Sequence, residues 1–250
     1  MPHAANGLWY ERTGSGNPVV LLHAGVVDAR IWAPVAPLLA PRFDVVAYDQ
    51  RAYGRSPSWN GPYSLADDLF GVMDEVGFER AALVGLSRGG RIALDAVLER
   101  PDRVTRLALV ASALPGYEPS WDVTDDLERR WEAAEASGDF AALAEIDLEL
   151  WAPLGADAEL RAMFHENAEA SNGADPAVEP EPPAAERLGE IDVPALVVTG
   201  DRDVPAMNEI GDVLERGIGG AQRVVIAEAD HMVPWRRPQE LADVLAAFLG

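Results

Sequence analysis

A serine framed by glycines lies in the segment Gly85-Leu86-Ser87-Arg88-Gly89. An apolar run precedes it and a helical pattern follows it, so Ser87 falls at the junction of a strand and a helix. A sharp turn at such a junction leaves little room for side chains two residues to either side, which favours glycine and exposes the serine hydroxyl as a nucleophile. The alternative is a glycine-rich turn that only packs the helix against the strand.

A serine hydroxyl needs an imidazole to take its proton and a carboxylate to orient that imidazole. His231 follows an apolar run and precedes the last helical pattern, where it can approach the carboxyl edge of a parallel sheet. Asp201 and Asp203 both follow another apolar run, and their spacing does not decide between them. Asp230 is disfavoured because successive side chains usually point apart.

Residue types that are missing exclude several other chemistries. All 20 basic residues are arginine, and cysteine is absent. Without lysine there is no Schiff-base anchor, and without cysteine there is no thiol nucleophile, thiolate zinc site or cysteine-bound iron–sulfur cluster. The predicted chemistry requires no metal and no organic cofactor.

The elements that must position these residues alternate along the chain. Short apolar runs predict strands, and amphipathic stretches between them predict helices. The predicted strands cover residues 19–22, 44–48, 81–86, 107–110, 195–199 and 223–226, and the predicted helices cover 64–76, 88–99 and 240–249. This alternation indicates an α/β fold, with a mostly parallel sheet and helices on both faces. A glycine-rich turn also predicts an antiparallel hairpin between residues 8–11 and 19–22.

The alternation stops between residues 113 and 188. Aromatic residues lie there among alanine and glutamate, which predicts two to four helices, and the proline-rich stretch 174–183 predicts an extended connector. We therefore expect a core domain of residues 1–112 and 189–250 and a helical cap, or lid, of residues 113–188. A long helical crossover is the alternative.

The charge balance and the hydropathy pattern restrict the partners. Twenty basic against 42 acidic residues give a net charge of −22, which repels a phosphate backbone, so nucleic acid is not an expected partner. The first residues lack a basic segment followed by an apolar run, and no segment is apolar over the roughly 18 residues of a membrane span. We expect a soluble, cytoplasmic protein with no membrane contact; the composition does not give its oligomeric state.

Four separated motifs together resemble the α/β-hydrolase superfamily, and the resemblance spans nearly the whole chain. They are Leu21-Leu22-His23-Ala24-Gly25, the segment Tyr48–Ser56 that is similar to D-x-R-G-x-G-x-S, the serine turn, and Gly200-Asp201-Arg202-Asp203. The order of nucleophile, acid and base also matches that family. Three positions depart from its usual glycines, Ala24, Ala52 and Asp230, and none of them removes a reacting group.

The resemblance implies roles for particular residues. Ser87 becomes the nucleophile, His231 the base, and Asp203, rather than Asp201, the acid. The backbone amides of Gly25 and Arg88 become the oxyanion hole, and His23 becomes a structural residue of its loop.

Two further features remain open between a functional and a structural role. The Arg88 side chain could hold an acidic substrate group, although a salt bridge is the favoured interpretation. Aromatic residues of the predicted cap could line an acyl or alcohol pocket, with packing as the alternative for each. These pocket candidates are Trp131, Trp151, Phe164 and His165.

The sequence therefore predicts a serine hydrolase that cleaves a small to medium carboxylic ester or lactone through an acyl-enzyme intermediate. The alternatives are a C–C bond hydrolase, a lyase, and a ligand receptor that has kept the same residues, because fold and triad do not fix the reaction.

Overall fold

Seven strands form one sheet in the computed structural model, which describes residues 3–59, 61–121, 123–173 and 175–250. The strands are β1 (Tyr10–Gly14), β2 (Asn17–Leu22), β3 (Phe43–Tyr48), β4 (Ala81–Leu86), β5 (Val104–Val110), β6 (Ala195–Gly200) and β7 (Gln222–Ile226). Their order in the sheet is β1-β3-β2-β4-β5-β6-β7. Strands β2 to β7 are parallel to their neighbours, and β1 is antiparallel to β3.

The helices fill the connections between the strands. They are α1 (Ala36–Leu39), α2 (Leu65–Glu75), α3 (Arg88–Glu99), α4 (Asp125–Ser137), α5 (Phe140–Trp151), α6 (Ala158–Asn172), α7 (Pro205–Gly217), α8 (Val233–Arg236) and α9 (Pro238–Leu249). The predicted start of α2 is confirmed, because the Ser64 side chain caps it by accepting the Asp67 N–H. The prediction of an α/β fold with a mostly parallel sheet is also confirmed.

The sheet is covered on both faces, which explains its continuous apolar strands. Side chains alternate across a strand, so Val20 and Leu22 of β2 join one core cluster while Val19 and Leu21 join the other. Helices α2, α3 and α7 contribute to the first cluster, and α1 and α9 contribute to the second. Fully burying one Leu or Ile side chain stabilises the fold by roughly 1.5–3 kcal/mol, so these clusters fix the strand ends that carry the site.

The predicted hairpin between residues 8–11 and 19–22 is wrong. Strand β1 pairs with β3, with Tyr10 opposite Tyr48, and β2 lies between β3 and β4. The physical reason is burial. Strand β2 is apolar and buried over Val19–Leu22, so it occupies the sheet interior, whereas β1 is mostly exposed and takes the edge.

Three helices, α4 to α6, lie in the insertion between β5 and β6, which agrees with the prediction of two to four. The side chains of Thr124, Asp139 and Asp157 cap their N-termini. A small apolar cluster joins α4 to α5, and it contains Leu127, Ala134, Leu143 and Ile146. Helix α6 packs instead on the second core cluster of the sheet, through side chains that include Leu160.

The proline-rich connector has no helix or strand of its own over residues 175–183, as predicted; Ala174 lies outside the described residues. It is attached to the loop before α2, where Val178 N–H donates to the Tyr63 carbonyl at 2.8 Å. None of the helices that the described ranges contain has the length and apolarity needed to cross a bilayer.

Candidate active site

Ser87 occupies a strained turn between β4 and α3. Its φ of 52° and ψ of −114° lie outside the regions that residues with a side chain usually adopt, which costs of order 1–3 kcal/mol. The backbone holds this conformation, since Ser87 N–H donates to the Val110 carbonyl at 3.0 Å and the Ser87 carbonyl accepts from Gly90 at 2.8 Å. A side chain at Gly89 would collide with the Leu22 carbonyl, which explains the glycine there.

His231 and Asp203 form a buried hydrogen-bonded pair. His231 Nδ1 lies 2.9 Å from Asp203 Oδ2, and both side chains are almost fully buried. The second carboxylate oxygen of Asp203 accepts the Val204 N–H at 2.8 Å. The two residues follow β7 and β6, which are neighbours in the sheet. With Nδ1 engaged by the carboxylate, Nε2 is the ring nitrogen left for a reacting hydroxyl.

The other two candidate carboxylates have different partners. Asp230 is fully buried, and Arg236 donates to it through Nε at 3.0 Å and Nη2 at 2.7 Å. It also accepts the Leu154 N–H at 3.2 Å, so it joins the His231 loop to the insertion. Asp201 accepts the Ala229 N–H at 3.4 Å. Of the three, Asp203 is the one that contacts His231 in the described part of the chain.

The two residues predicted to supply the oxyanion hole lie side by side. Gly25 follows β2, and a Cβ built on it would lie 3.3 Å from Cδ of Arg88. Arg88 is the first residue of α3, and the first amides of a helix have no acceptor inside the helix. Both residues line the same pocket as Ser87 and His231. The two residues therefore lie together at the pocket, and the oxyanion role of their amides stays a prediction.

His23 supports the Gly25 loop as a neutral residue. It is fully buried, its Nε2 accepts the Gln50 N–H at 2.9 Å, and its Nδ1 donates to the Ala24 carbonyl at 2.7 Å. Burial lowers the pKa of His23 to about 4, so the ring stays uncharged at neutral pH. It therefore joins the loop after β2 to the loop after β3.

The loop after β3 is organised by Asp49. Its buried carboxylate accepts the N–H groups of Ala29 at 2.9 Å and Arg55 at 2.8 Å. Within this loop Ala52 has a φ of 69°, in the left-handed region that favours glycine. The alanine that replaces the usual glycine of the motif is accordingly a strained position.

The Arg88 side chain makes the salt bridge that the sequence favoured. Its Nη2 lies 2.6 Å from Asp175 Oδ2 in the connector, and its Nε donates to Gln50 Oε1 at 2.9 Å. Arg88 therefore links the serine turn to the connector after α6.

One pocket of about 320 Å³ brings these residues together. Ser87, His231, Gly25 and Arg88 line it from the loops after the strands, which we call its sheet side, and residues of the insertion form what we call its insertion side. The insertion residues are Ala113, Trp131, Asp147, Trp151, Ser171 and Asn172. A larger surface depression beside Phe78 contains none of the predicted site residues.

Two of the four predicted aromatic pocket residues line this pocket. They are Trp131 and Trp151, and the Trp151 ring centroid lies 4.5 Å from that of His231. Phe164 and His165 require correction. Phe164 is buried in the core cluster beneath, and His165 Nε2 lies 2.8 Å from Glu145 at the surface, so neither is a lining residue.

Sequence reasoning missed Asp147 and Asn172. A signal for Asp147 was present, because it lies four residues before Trp151 and thus on the same face of α5. Because Glu145 and Glu149 flank Asp147, the segment resembles an ordinary solvent-exposed acidic face, and the signal was not recognised. Nothing in the pattern around Asn172, at the end of α6, distinguishes it from a solvent-facing residue.

Comparison with known proteins places the chain in a family. The family model described as "alpha/beta hydrolase fold" matches residues 17–153. A curated relative from Caulobacter vibrioides, named "Putative carbamate hydrolase RutD", is 41% identical over 113 residues, which are 42% of this chain and 42% of the relative. The matched segment thus spans less than half the length of such curated relatives.

Solved structures match over nearly the whole length. The enol-lactonase from Burkholderia xenovorans LB400 has a TM-score of 0.76 at 27% identity, covering 97% of this chain and 96% of that one. A thermophilic esterase from Thermogutta terrifontis has a TM-score of 0.78 at 26% identity, covering 97% and 92%. With the sheet order and the strand-to-helix turn at Ser87, these matches establish that the chain belongs to the α/β hydrolase fold family.

Proposed function

We propose that this protein is a serine hydrolase that cleaves a small carboxylic ester or lactone through an acyl-enzyme intermediate. One observation carries the proposal: a pocket that contains Ser87 on a strained turn also contains His231, whose Nδ1 is hydrogen-bonded to buried Asp203. The similarity to an enol-lactonase and to an esterase supports the substrate class.

In the first half of the reaction His231 takes the proton of the Ser87 hydroxyl as its oxygen attacks the substrate carbonyl. The negative charge that develops on the carbonyl oxygen is met by the amides of Gly25 and Arg88. Asp203 holds the imidazole in place and stabilises its cationic form. When the tetrahedral intermediate collapses, His231 gives its proton to the departing alkoxide oxygen, which leaves as an alcohol.

In the second half a water molecule replaces the alcohol. His231 removes its proton as the water oxygen attacks the acyl carbon, and collapse of the second intermediate releases the acid and returns the proton to Ser87. For a lactone, the alcohol and the acid are two ends of one product. No step requires a metal ion or an organic cofactor.

The insertion of residues 113–188 is proposed as the cap over this pocket. Trp131, Trp151 and Asn172 contribute its outer wall, and the pocket volume of about 320 Å³ suits a substrate of small to medium size. The proposed partner is accordingly a small molecule.

The experiment compares the wild type with Ser87→Ala on p-nitrophenyl esters from acetate to octanoate and on simple lactones. We expect the variant to lose at least about 10³-fold in kcat/KM, because no other group in the mechanism replaces the nucleophile. Ser58→Ala is the matched control, since Ser58 is exposed and does not line the pocket; it should keep the wild-type activity.

A covalent probe makes the test independent of substrate choice. A fluorophosphonate should label the wild type at Ser87, as identified by peptide mass spectrometry, and should leave Ser87→Ala unlabelled. Equal rates for the wild type and Ser87→Ala on every ester and lactone, together with no labelling, would overturn the proposal.

A further inference from the structure

Asp147 is a buried carboxylate in the pocket with an unusual set of neighbours. It is 2% exposed, and the Asn172 side-chain amide donates to its Oδ2 at 3.1 Å. Asn172 is uncharged, so it satisfies part of the hydrogen-bonding capacity of the carboxylate without neutralising it. Burial raises the pKa of Asp147 to about 6, and hydrogen bonding to the neutral side chains of Asn172 and Trp151 opposes that shift.

The other buried aspartates of the described ranges show how this fold normally treats such groups. Each has an arginine or histidine nitrogen within 4.0 Å, and Asp147 is the one buried aspartate without such a nitrogen among the residues that the structure describes. The paired aspartates are Asp28, Asp44, Asp49, Asp68, Asp95, Asp203 and Asp230. A buried charge without a partner is costly, so a carboxylate left in this state at a pocket wall indicates that its partner comes from outside the chain.

The two arginines that line the pocket do not fill this role. Arg88 pairs with Asp175 at 2.6 Å, and Arg91 pairs with Glu179 at 2.9 Å and lies 3.9 Å from Asp95. Their positive charges are therefore balanced by carboxylates other than Asp147. The two arginines, their three carboxylate partners and Asp147 together carry a net negative charge, which attracts a cation.

Two indole rings line the pocket together with Tyr53 and Ser171. Trp151 lies one turn after Asp147 on α5, and Trp131 of α4 lines the same pocket. Indole faces attract organic cations and also accommodate their alkyl groups. A buried carboxylate in a pocket that two indoles also line is the chemistry that binds a protonated amine.

We propose that Asp147 determines specificity by binding a protonated amine on the substrate, with Trp131 and Trp151 around the alkyl groups of that amine. The inference rests on the proposed hydrolase function and makes the preferred substrate an amino-substituted ester. The ammonium N–H donates to the Asp147 carboxylate while the ester carbonyl is held at Ser87.

The test uses two butyrate esters of nearly the same shape. In 2-(dimethylamino)ethyl butyrate the branching atom is a protonated nitrogen near neutral pH, and in 3-methylbutyl butyrate it is carbon. Hydrolysis is followed by titration of the released acid. Because the ammonium group changes the intrinsic reactivity of its ester, each variant is compared with the wild type on each ester, and the two ratios are then compared.

We expect Asp147→Asn to lower kcat/KM for the ammonium ester by at least about tenfold, mainly through KM, and to change the neutral ester by less than about twofold. Glu149→Gln is the matched control: it removes a charge from an exposed position of the same helix and should leave the ratio between the esters unchanged. An equal effect of Asp147→Asn on both esters would overturn the inference.

A binding measurement separates this inference from the proposed activity. Protonated 2-(dimethylamino)ethanol, the alcohol product, is titrated against the wild type and Asp147→Asn by calorimetry, with 3-methylbutanol as the neutral comparison. If the variant binds the amine about tenfold more weakly and the neutral alcohol equally well, the cation site is supported even when neither ester is cleaved. The hydrolase proposal is decided separately, by the Ser87→Ala comparison and the labelling of Ser87. Equal binding of the amine to both proteins overturns the cation site.

Discussion

The two sides of the pocket differ in how their acidic groups are neutralised. On the sheet side, Asp203 contacts His231 and Asp230 contacts Arg236, and both carboxylates are buried. On the insertion side, Asp147 is as deeply buried, but its hydrogen-bonding partners among the described residues are neutral, chiefly the Asn172 amide. The sheet side thus holds its proposed catalytic pair in a fixed position, whereas the insertion side keeps the carboxylate that we propose a ligand satisfies.

The largest expected effect tests the sheet side. Asp203→Asn should lower kcat on an active ester by about 10³–10⁴-fold, because the amide no longer holds His231 in the required tautomer. Asp201→Asn removes a neighbouring carboxylate that does not contact His231, and steady-state kinetics should show little change. A similar loss in both variants would mean that the His231–Asp203 contact is not the functional one.

The next effect tests how tightly the serine turn is packed. Gly89→Ala places a methyl group against the Leu22 carbonyl and should lower the free energy of unfolding by about 1–3 kcal/mol. Gly189→Ala is the control, since a Cβ added there would meet no atom within 4 Å. Urea denaturation of both variants checks this, and equal stabilities would show that the turn relaxes freely.

A third effect tests the insertion side through pH. The pKa of Asp147 rises from 3.8 to about 6 on folding, mainly through burial, so the folded state favours its protonated form. The free energy of unfolding therefore falls as the pH rises from about 4 through 6. Asparagine does not ionise, so Asp147→Asn should not show this decrease. The variant should be more stable than the wild type by up to about 3 kcal/mol at pH 8 and show no such gain near pH 3.5.

Unfolding free energies of both proteins at several pH values measure the difference directly. A difference that does not change with pH would show that Asp147 is not the buried, ionising group described above, and would remove the contrast between the two sides of the pocket.

The smallest effect concerns the strained alanine of the loop after β3. Ala52→Gly should raise the free energy of unfolding by about 1 kcal/mol, because glycine adopts a φ of 69° without the Cβ clash. Ala33→Gly, at an ordinary right-handed position, should instead lower it by about 0.5–1 kcal/mol. Thermal unfolding of both variants is sufficient, and a loss in both would contradict the strain at Ala52.

The sequence predicted the strands well because buried parallel strands are short apolar runs; the bounds of β4 and α3 match residue for residue. Pairing was harder to predict. The turn at Gly14 showed that the chain reverses direction but not which strand lies beside β1. The apolar stretch Val19–Leu22 already indicated an interior strand with two neighbours of its own.

The site residues were likewise predicted by type and approximate place but not by their exact contacts. Spacing left Asp201 and Asp203 equivalent, and only family resemblance separated them, because a choice between residues two apart depends on loop geometry. Which residues of the insertion line the pocket depends on how each helix is rotated about its own axis, and the sequence does not give that rotation. Phe164 faces the core while His165, one residue and about 100° further round α6, faces Glu145 at the surface.

Asp230 has a mechanical consequence for the insertion. Its carboxylate accepts the Leu154 N–H, and Arg236 donates both to it and to the Gly155 carbonyl. Leu154 and Gly155 are themselves exposed, whereas Asp230 is fully buried. Pulling the turn between α5 and α6 away from the sheet would therefore cost this buried carboxylate a hydrogen bond, at about 1–3 kcal/mol. The turn and the His231 loop are tethered through one side chain, so a substitution at Asp230 would disturb both together.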